Sequence, residues 1–169
     1  CWMIGTYNKS AFEKMIPMAD NERVVIVSPL GYQLHKVRIA DRLTRLTTRN
    51  HTRKIWEELY FTNGFTTPLK REEAAAYAPV FDALRLAPSA SNKQPWRVIK
   101  QGGSFHFYYH NASATIFRQY DCGANDVGIC MAHFELVAKE CNLMGHWKNV
   151  LPTFETSEDY TYVQTWICD

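Results

Sequence analysis

The chain contains no Cys-x-x-Cys pair, no apolar run close to the ~20 residues that cross a bilayer, and no charged-then-apolar leader. Its five cysteines, at positions 1, 122, 130, 141 and 168, are odd in number and widely spaced. They read as reduced, mostly buried small hydrophobes rather than as a disulfide frame, a redox pair or a zinc cluster. A strong excess of either charge is also missing. Nineteen Lys and Arg against seventeen Asp and Glu leave a net charge of +2, too small a field to draw the chain onto nucleic acid or anionic lipid. The basic stretch from Arg42 to Lys54 lacks the interleaved aromatics of a nucleic-acid module. These absences predict a soluble, cytoplasmic protein with no nucleic-acid partner, no membrane partner and no metal. His106 and His110 would stand ~13 Å apart on one strand face, too far to share an ion, and are expected as exposed edge-strand residues. No Ser/His/Asp or Cys/His spacing marks a nucleophile, so no catalytic side chain is named.

Aromatics, by contrast, are plentiful at 14%, within a hydrophobic fraction of 46%. A chain of 169 residues with that content can bury about two-thirds of its unfolded surface, as one ordinary domain or as two half-size units sharing a core. Residues 1–5 form an apolar, strand-like run with nothing before it to pair or lead in, which predicts a further segment upstream in the same protein. Asn8 is placed to cap a short helix over 8–15, and the Val/Ile run over 23–28 suits a buried strand. A helical segment over 53–61 puts Ile55, Trp56 and Leu59 on one face before the Asn63-Gly64 turn. Thr67 and Pro68 suit the start of a helix continuing through 71–86, which Pro88 stops. Residues 96–100 and 104–110 alternate around Gly102-Gly103 as a hairpin, with Phe105, Phe107 and Tyr109 on one face. Residues 121–143 repeat apolar side chains at three and four, giving a long buried helix with Gly145 as its stop. Asp121 and Asp126 fall near the start of that helix, where they suit its dipole better than acid catalysis. Residues 160–168 read as a last strand.

One segment is more specific. Residues 87–96 read Ala-Pro-Ser-Ala-Ser-Asn-Lys-Gln-Pro-Trp, and the pattern Pro-Ser-x-Ser-Asn-x-Gln-Pro-Trp resembles the flavin-contacting loop of the nitroreductase family. Ala90 stands where that family pattern has a second Ser. Two further segments carry the resemblance. Residues 1–6 are similar to the family stretch whose backbone amides approach the flavin N5 region, with Ile4 and Gly5 at the matching positions. Arg53-Lys54-Ile55-Trp56-Glu57-Glu58-Leu59 is similar to the family's basic arm, which makes Arg53 the first choice and Arg49 the second for the cofactor phosphate. The family's N-terminal Arg-x-Ser-x-Arg segment has no counterpart.

The resemblance implies an α+β fold, a mixed and mostly antiparallel sheet flanked by helices. It implies two divergent half-repeats on one chain: residues 1–66 as the C-terminal part of the first and 67–169 as the second. It also implies FMN as cofactor, with contacts from Ile4, Gly5, Arg49, Arg53, Pro88, Ser89, Ala90, Ser91 and Asn92. The implied activity is ping-pong hydride transfer from NADH or NADPH, through FMN, to a nitroaromatic, quinone or similar small acceptor. A missing N-terminal segment of the same protein would supply the absent phosphate contacts. The competing expectation is a flavin-free or flavin-storing binding module on the same scaffold.

Overall fold

Strict alternation over the hairpin residues sends Trp96, Val98, Phe105 and Phe107 to one side of a sheet and Arg97, Ile99, His106 and Tyr108 to the other. The computed structural model describes residues 8–22, 24, 27, 28, 30–32, 52–111 and 122–169. The expectations for residues 1–5, including Ile4 and Gly5, for most of the 23–28 strand, for Arg49 and for Asp121 lie outside the described residues. By internal contacts the chain divides into Cys1–Arg42 and Leu43–Asp169. In the first unit a short helix, α1 (Lys9–Glu13), begins where expected. The Asn8 side chain accepts the Ala11 amide at 3.3 Å and the Ser10 hydroxyl at 2.9 Å, a cap worth ~1 kcal/mol.

The second unit is built on a five-stranded sheet. In chain order its strands are β1 (Tyr60–Thr62), β2 (Trp96–Gln101), β3 (Ser104–His110), β4 (Gly145–Lys148) and β5 (Tyr160–Cys168), and their spatial order is β1-β2-β3-β5-β4. The β2–β3 hairpin runs in register from Trp96↔Tyr109 to Gln101↔Ser104. Gly102 takes φ 57°, which a two-residue hairpin turn requires. β3–β5 and β5–β4 are also antiparallel, whereas β1 joins β2 in parallel. The fold is therefore α+β, with a mixed, mostly antiparallel sheet, as expected.

The helices cover one face of that sheet. They are α2 (Trp56–Leu59), α3 (Arg71–Ala74), α4 (Ala78–Arg85) and α5 (Cys122–Glu140). Val80, Phe81 and Leu84 of α4 and Val127, Phe134 and Ala138 of α5 pack with Trp96, Val98, Phe105, Phe107 and Trp166. Phe134 sits at the centre. Its ring lies 5.2 Å from Phe107, 5.5 Å from Trp166, 5.6 Å from Phe105 and 5.8 Å from Phe81, all near edge-on, the geometry that aromatic quadrupoles favour. Trp56 anchors α2 below this core: its indole N–H donates to the Leu69 carbonyl at 2.6 Å and its ring meets Tyr60 at 4.8 Å.

Several local expectations are corrected. Ile55 is 57% exposed, because α2 is a single turn and only Trp56 and Leu59 face inward. The helical reading of residues 60 and 61 fails because β2 offers them a parallel ladder, and β1 forms instead. Pro68 opens no helix; it bridges Phe61, and α3 starts at Arg71. The helix expected over 71–86 breaks at Ala75, which takes φ 49°, ψ −126°. Pro79 has no N–H for the Ala75 carbonyl, so a continuous helix could not bond there. The long helix ends at Glu140 and is closed off by Asn142, whose left-handed φ of 57° lets Leu143 N–H reach the Ala138 carbonyl at 2.9 Å. Gly145 is thus not the stop but the first residue of β4. His106 is not at an edge either: β3 lies between β2 and β5, and Phe154 covers the ring, leaving His106 3% exposed. Its Nδ1 pairs with the Thr165 hydroxyl at 2.8 Å, and burial lowers its pKa.

Gly145 makes a direct test of this packing. A Cβ there would lie 2.5 Å from the Ile167 carbonyl oxygen and from the Trp166 ring. Gly145→Ala should lower stability by about 2–3 kcal/mol, read as a lower urea midpoint. Gly128, in α5 with nothing within 4 Å of a built Cβ, is the control. Gly128→Ala should leave the midpoint unchanged or raise it by up to ~1 kcal/mol.

Candidate functional site

The loop leaving α4 must turn back within a few residues to enter β2, and it does so through a strained backbone. Ser89 is extended, Ala90–Asn92 form one 3₁₀ turn, and Ser91, Asn92 and Gln94 take φ of 50°, 55° and 47°. Non-glycine residues in that left-handed region cost on the order of 1 kcal/mol each and persist only where surrounding contacts hold them. Those contacts are present. Across the loop, the Ser89 hydroxyl accepts the Gln94 amide at 2.8 Å. From α5, the Asp126 carboxylate accepts the Ala90 amide with both oxygens, at 2.9 and 3.1 Å.

The third set comes from the residues just before α2. Arg53 Nη1 donates to Asn92 Oδ1 at 2.6 Å, and Nη2 reaches the Leu86 carbonyl at 3.4 Å. Asn92 Nδ2 returns a bond to the Thr52 carbonyl at 2.9 Å. Gln94 is 2% exposed; its Oε1 accepts the Lys54 amide at 2.8 Å while its Nε2 donates to Asn92 Oδ1 at 3.1 Å. A buried amide that uses both ends in this way fixes the two chain segments against each other. The structure therefore joins Arg53 to Asn92, ties Ser89 to Gln94 and Ala90 to Asp126 within the same loop, and leaves Pro88 and Ser91 exposed at the loop surface.

Positive charge gathers around the same loop. Arg97 of β2 is 8% exposed and donates Nη1 to the Trp96 carbonyl at 2.6 Å and the Gln94 carbonyl at 3.3 Å. Burial lowers its pKa. Lys54 is lowered as well, by burial first, then by Arg97, with Lys93 adding to the effect and Glu58 opposing it. Lys54, which burial and repulsion from Arg97 and Lys93 both disfavour, is suited to an anionic group, whereas at Arg97 burial is opposed by Tyr160 and Glu58. Arg97 was not foreseen; a lone arginine inside an otherwise apolar strand was the available signal. Asp126 was foreseen in the wrong role. It lies beyond the first turn of α5 and points at the loop, so its carboxylate bonds Ala90 and is no dipole cap. Burial pushes this carboxyl up from 3.8 to about 6, and the Ala90 N–H draws it partly back.

Among the described residues no cluster of three His, Cys, Asp or Glu could hold a metal ion, and no helix is long and apolar enough to cross a membrane. A family model described as "Putative TM nitroreductase" matches residues 1–138. The chain belongs to the nitroreductase family, a family of oxidoreductases whose members generally bind flavin. Among solved structures it is similar to a nitroreductase family protein from Clostridium difficile 630, at 17% identity and a TM-score of 0.45, over 66% of this chain and 79% of that one. No curated protein matches.

The carboxyl under the loop makes stability depend on pH. Its pKa is raised on folding, so the native state holds the proton more tightly than the unfolded chain. The stabilising contribution is complete below 3.8 and is lost as pH rises through about 6. Moving a carboxyl over that interval corresponds to roughly 3 kcal/mol. Wild type should therefore lose stability relative to Asp126→Asn between pH 4 and 7 in urea melts. Parallel pH profiles for the two proteins would contradict the burial argument.

Proposed function

We propose that the chain forms part of an FMN-dependent NAD(P)H oxidoreductase acting on nitroaromatics, quinones or similar small acceptors. The observation that carries the reading is the hydrogen-bonded joining of Arg53 to Asn92 in the loop of residues 88–96, with Lys54, Lys93 and Arg97 close by. That donor set fits a flavin mononucleotide. In this reading Arg53 and Lys54 hold its phosphate, and Pro88, Ser89, Ala90, Ser91 and Asn92 form one wall against the ring system. Bound there, FMN would supply the hydride-transfer chemistry between NADH or NADPH and the acceptor. The chain's own residues bind and orient it. The left-handed turn at Ser91 and Asn92 would present its backbone to the ring, and the cations would offset the phosphate charge.

The remaining contacts of this reading are Ile4 and Gly5 at the ring edge and Arg49 as a second phosphate ligand. The Arg-x-Ser-x-Arg contacts would come from outside this sequence. Division into half-repeats at residues 66 and 67 and a cytoplasmic location belong to the same reading. One observation favours the alternative of a flavin-free or flavin-storing module: position 90 lacks the hydroxyl of the family pattern.

Reconstitution with FMN, desalting and a visible spectrum separate the two. The enzyme reading predicts retained flavin absorbance and NADH or NADPH oxidation in the presence of a quinone; absent flavin absorbance rejects it. Arg53→Ala should weaken FMN binding by about 1.5–3 kcal/mol, measured by quenching of flavin fluorescence. An unchanged affinity would remove Arg53 from the phosphate site.

A further inference from the structure

We infer that Asp126 is the positioning residue of the candidate flavin wall: its buried carboxylate holds the Ala90 amide, and through it the left-handed turn at Ser91 and Asn92, in the flavin-contacting shape. The inference rests on the flavin reading. Both carboxylate oxygens lie within 3.1 Å of a single backbone N–H, and the residue is 6% exposed with no cation paired to it among the described residues. A carboxylate in that environment works against folding, since burial disfavours its charge. What it supplies in return is a charge-assisted acceptor for the half-buried Ala90 amide, whose acceptor in this turn is Asp126. Because the bond is made to the backbone, it does not depend on the side chain at position 90, and the alanine there is compatible with a formed loop.

Among the groups that perturb Asp126 or are perturbed by it, Asp126 is the one that changes charge near neutrality. His110, lowered by burial and by Arg97 and Lys54 with Asp159 opposing, also titrates beside the cationic segment and is common to wild type and Asp126→Asn. One turn along the helix from Asp126, the fully buried Cys130 thiol is pushed up by burial and by Asp126. From β1, burial pushes the Tyr60 phenol up, with Cys130 adding to it. Both stay protonated through the neutral range. From α4, Asp82 is engaged by Arg71, and neither Asp82 nor Arg85 perturbs Asp126. The loop itself offers only the Ala90 N–H. As pH falls through about 6 the carboxylate becomes a neutral acid, the bond to Ala90 weakens, and the turn loses its tether.

The test follows the Ala90 amide in ¹⁵N-labelled protein and FMN affinity by fluorescence quenching, both between pH 4.5 and 8, for wild type and Asp126→Asn. The variant is also the control for the phosphate of FMN, which titrates in the same range. We expect the wild-type Ala90 resonance to titrate near pH 6, and wild-type affinity to fall at least tenfold more than the variant's on acidification. At pH 8 the variant should bind FMN at least tenfold more weakly than wild type. Identical pH profiles of FMN affinity in the two proteins overturn the inference, as does a wild-type Ala90 amide that does not move. If the variant does not fold, the wild-type protein still decides: an Ala90 amide that does not move, or an FMN affinity that does not fall on acidification, overturns the inference. A wild-type protein that binds no FMN at any pH, with Ala90 titrating normally, overturns the flavin reading and the functional role built on it while leaving the Asp126–Ala90 bond in place.

Discussion

The buried amide of Gln94 is the constraint on which the site depends. Both ends of that side chain are used, one on the Lys54 amide and the other on Asn92, in a position almost closed to water. An amide so placed has to be satisfied or the group is costly to bury. Satisfying it locks residues 52–54 to the loop ahead of β2. The parallel pairing of β1 with β2 then continues the same alignment into the sheet, with Tyr60 opposite Val98. The cationic segment and the loop are therefore held against each other by backbone and amide geometry before any ligand arrives.

Rigidity on the other side comes from aromatic packing. Phe134 holds α5 against the sheet through edge-on contacts to Phe105, Phe107 and Trp166, and the same helix carries Asp126 to the underside of the loop. The loop is thus gripped from two directions, by the Arg53 side chain and the Lys54 amide on one side and by the Asp126 carboxylate on the other. Three left-handed non-glycine residues inside six positions are sustained by those grips. Strain collected in one loop, beside the buried Asp126 carboxylate, the buried Arg97 and the half-buried Arg53 and Lys54, is consistent with the binding role proposed for it.

The hairpin, α1 with its Asn8 cap, α5 and β5 were legible in the sequence because each is written in local periodicity or in a capping residue. Joints between distant segments were not. Nothing local tells that Arg53 meets Asn92, 39 positions away; only the resemblance of both segments to one family suggested a shared site. Asp126 looked like a helix-start residue because spacing shows which element a side chain is on, not what lies over it. His106 looked exposed for the same reason, since its cover, Phe154, comes from a loop far along the chain. The break at Ala75 was readable from Pro79 and was missed; the alanine-rich run outweighed it in the reading of residues 71–86.

The central claim is that residues 52–54 and 89–94 form one wall that contacts FMN. Amide chemical-shift mapping of ¹⁵N-labelled protein during an FMN titration tests it most directly. The account predicts that the amides of both segments move together, with one shared dissociation constant. Shifts confined to some other surface, such as the shallow groove lined by Trp56, Pro68 and Glu72, would contradict it, as would the absence of any shift.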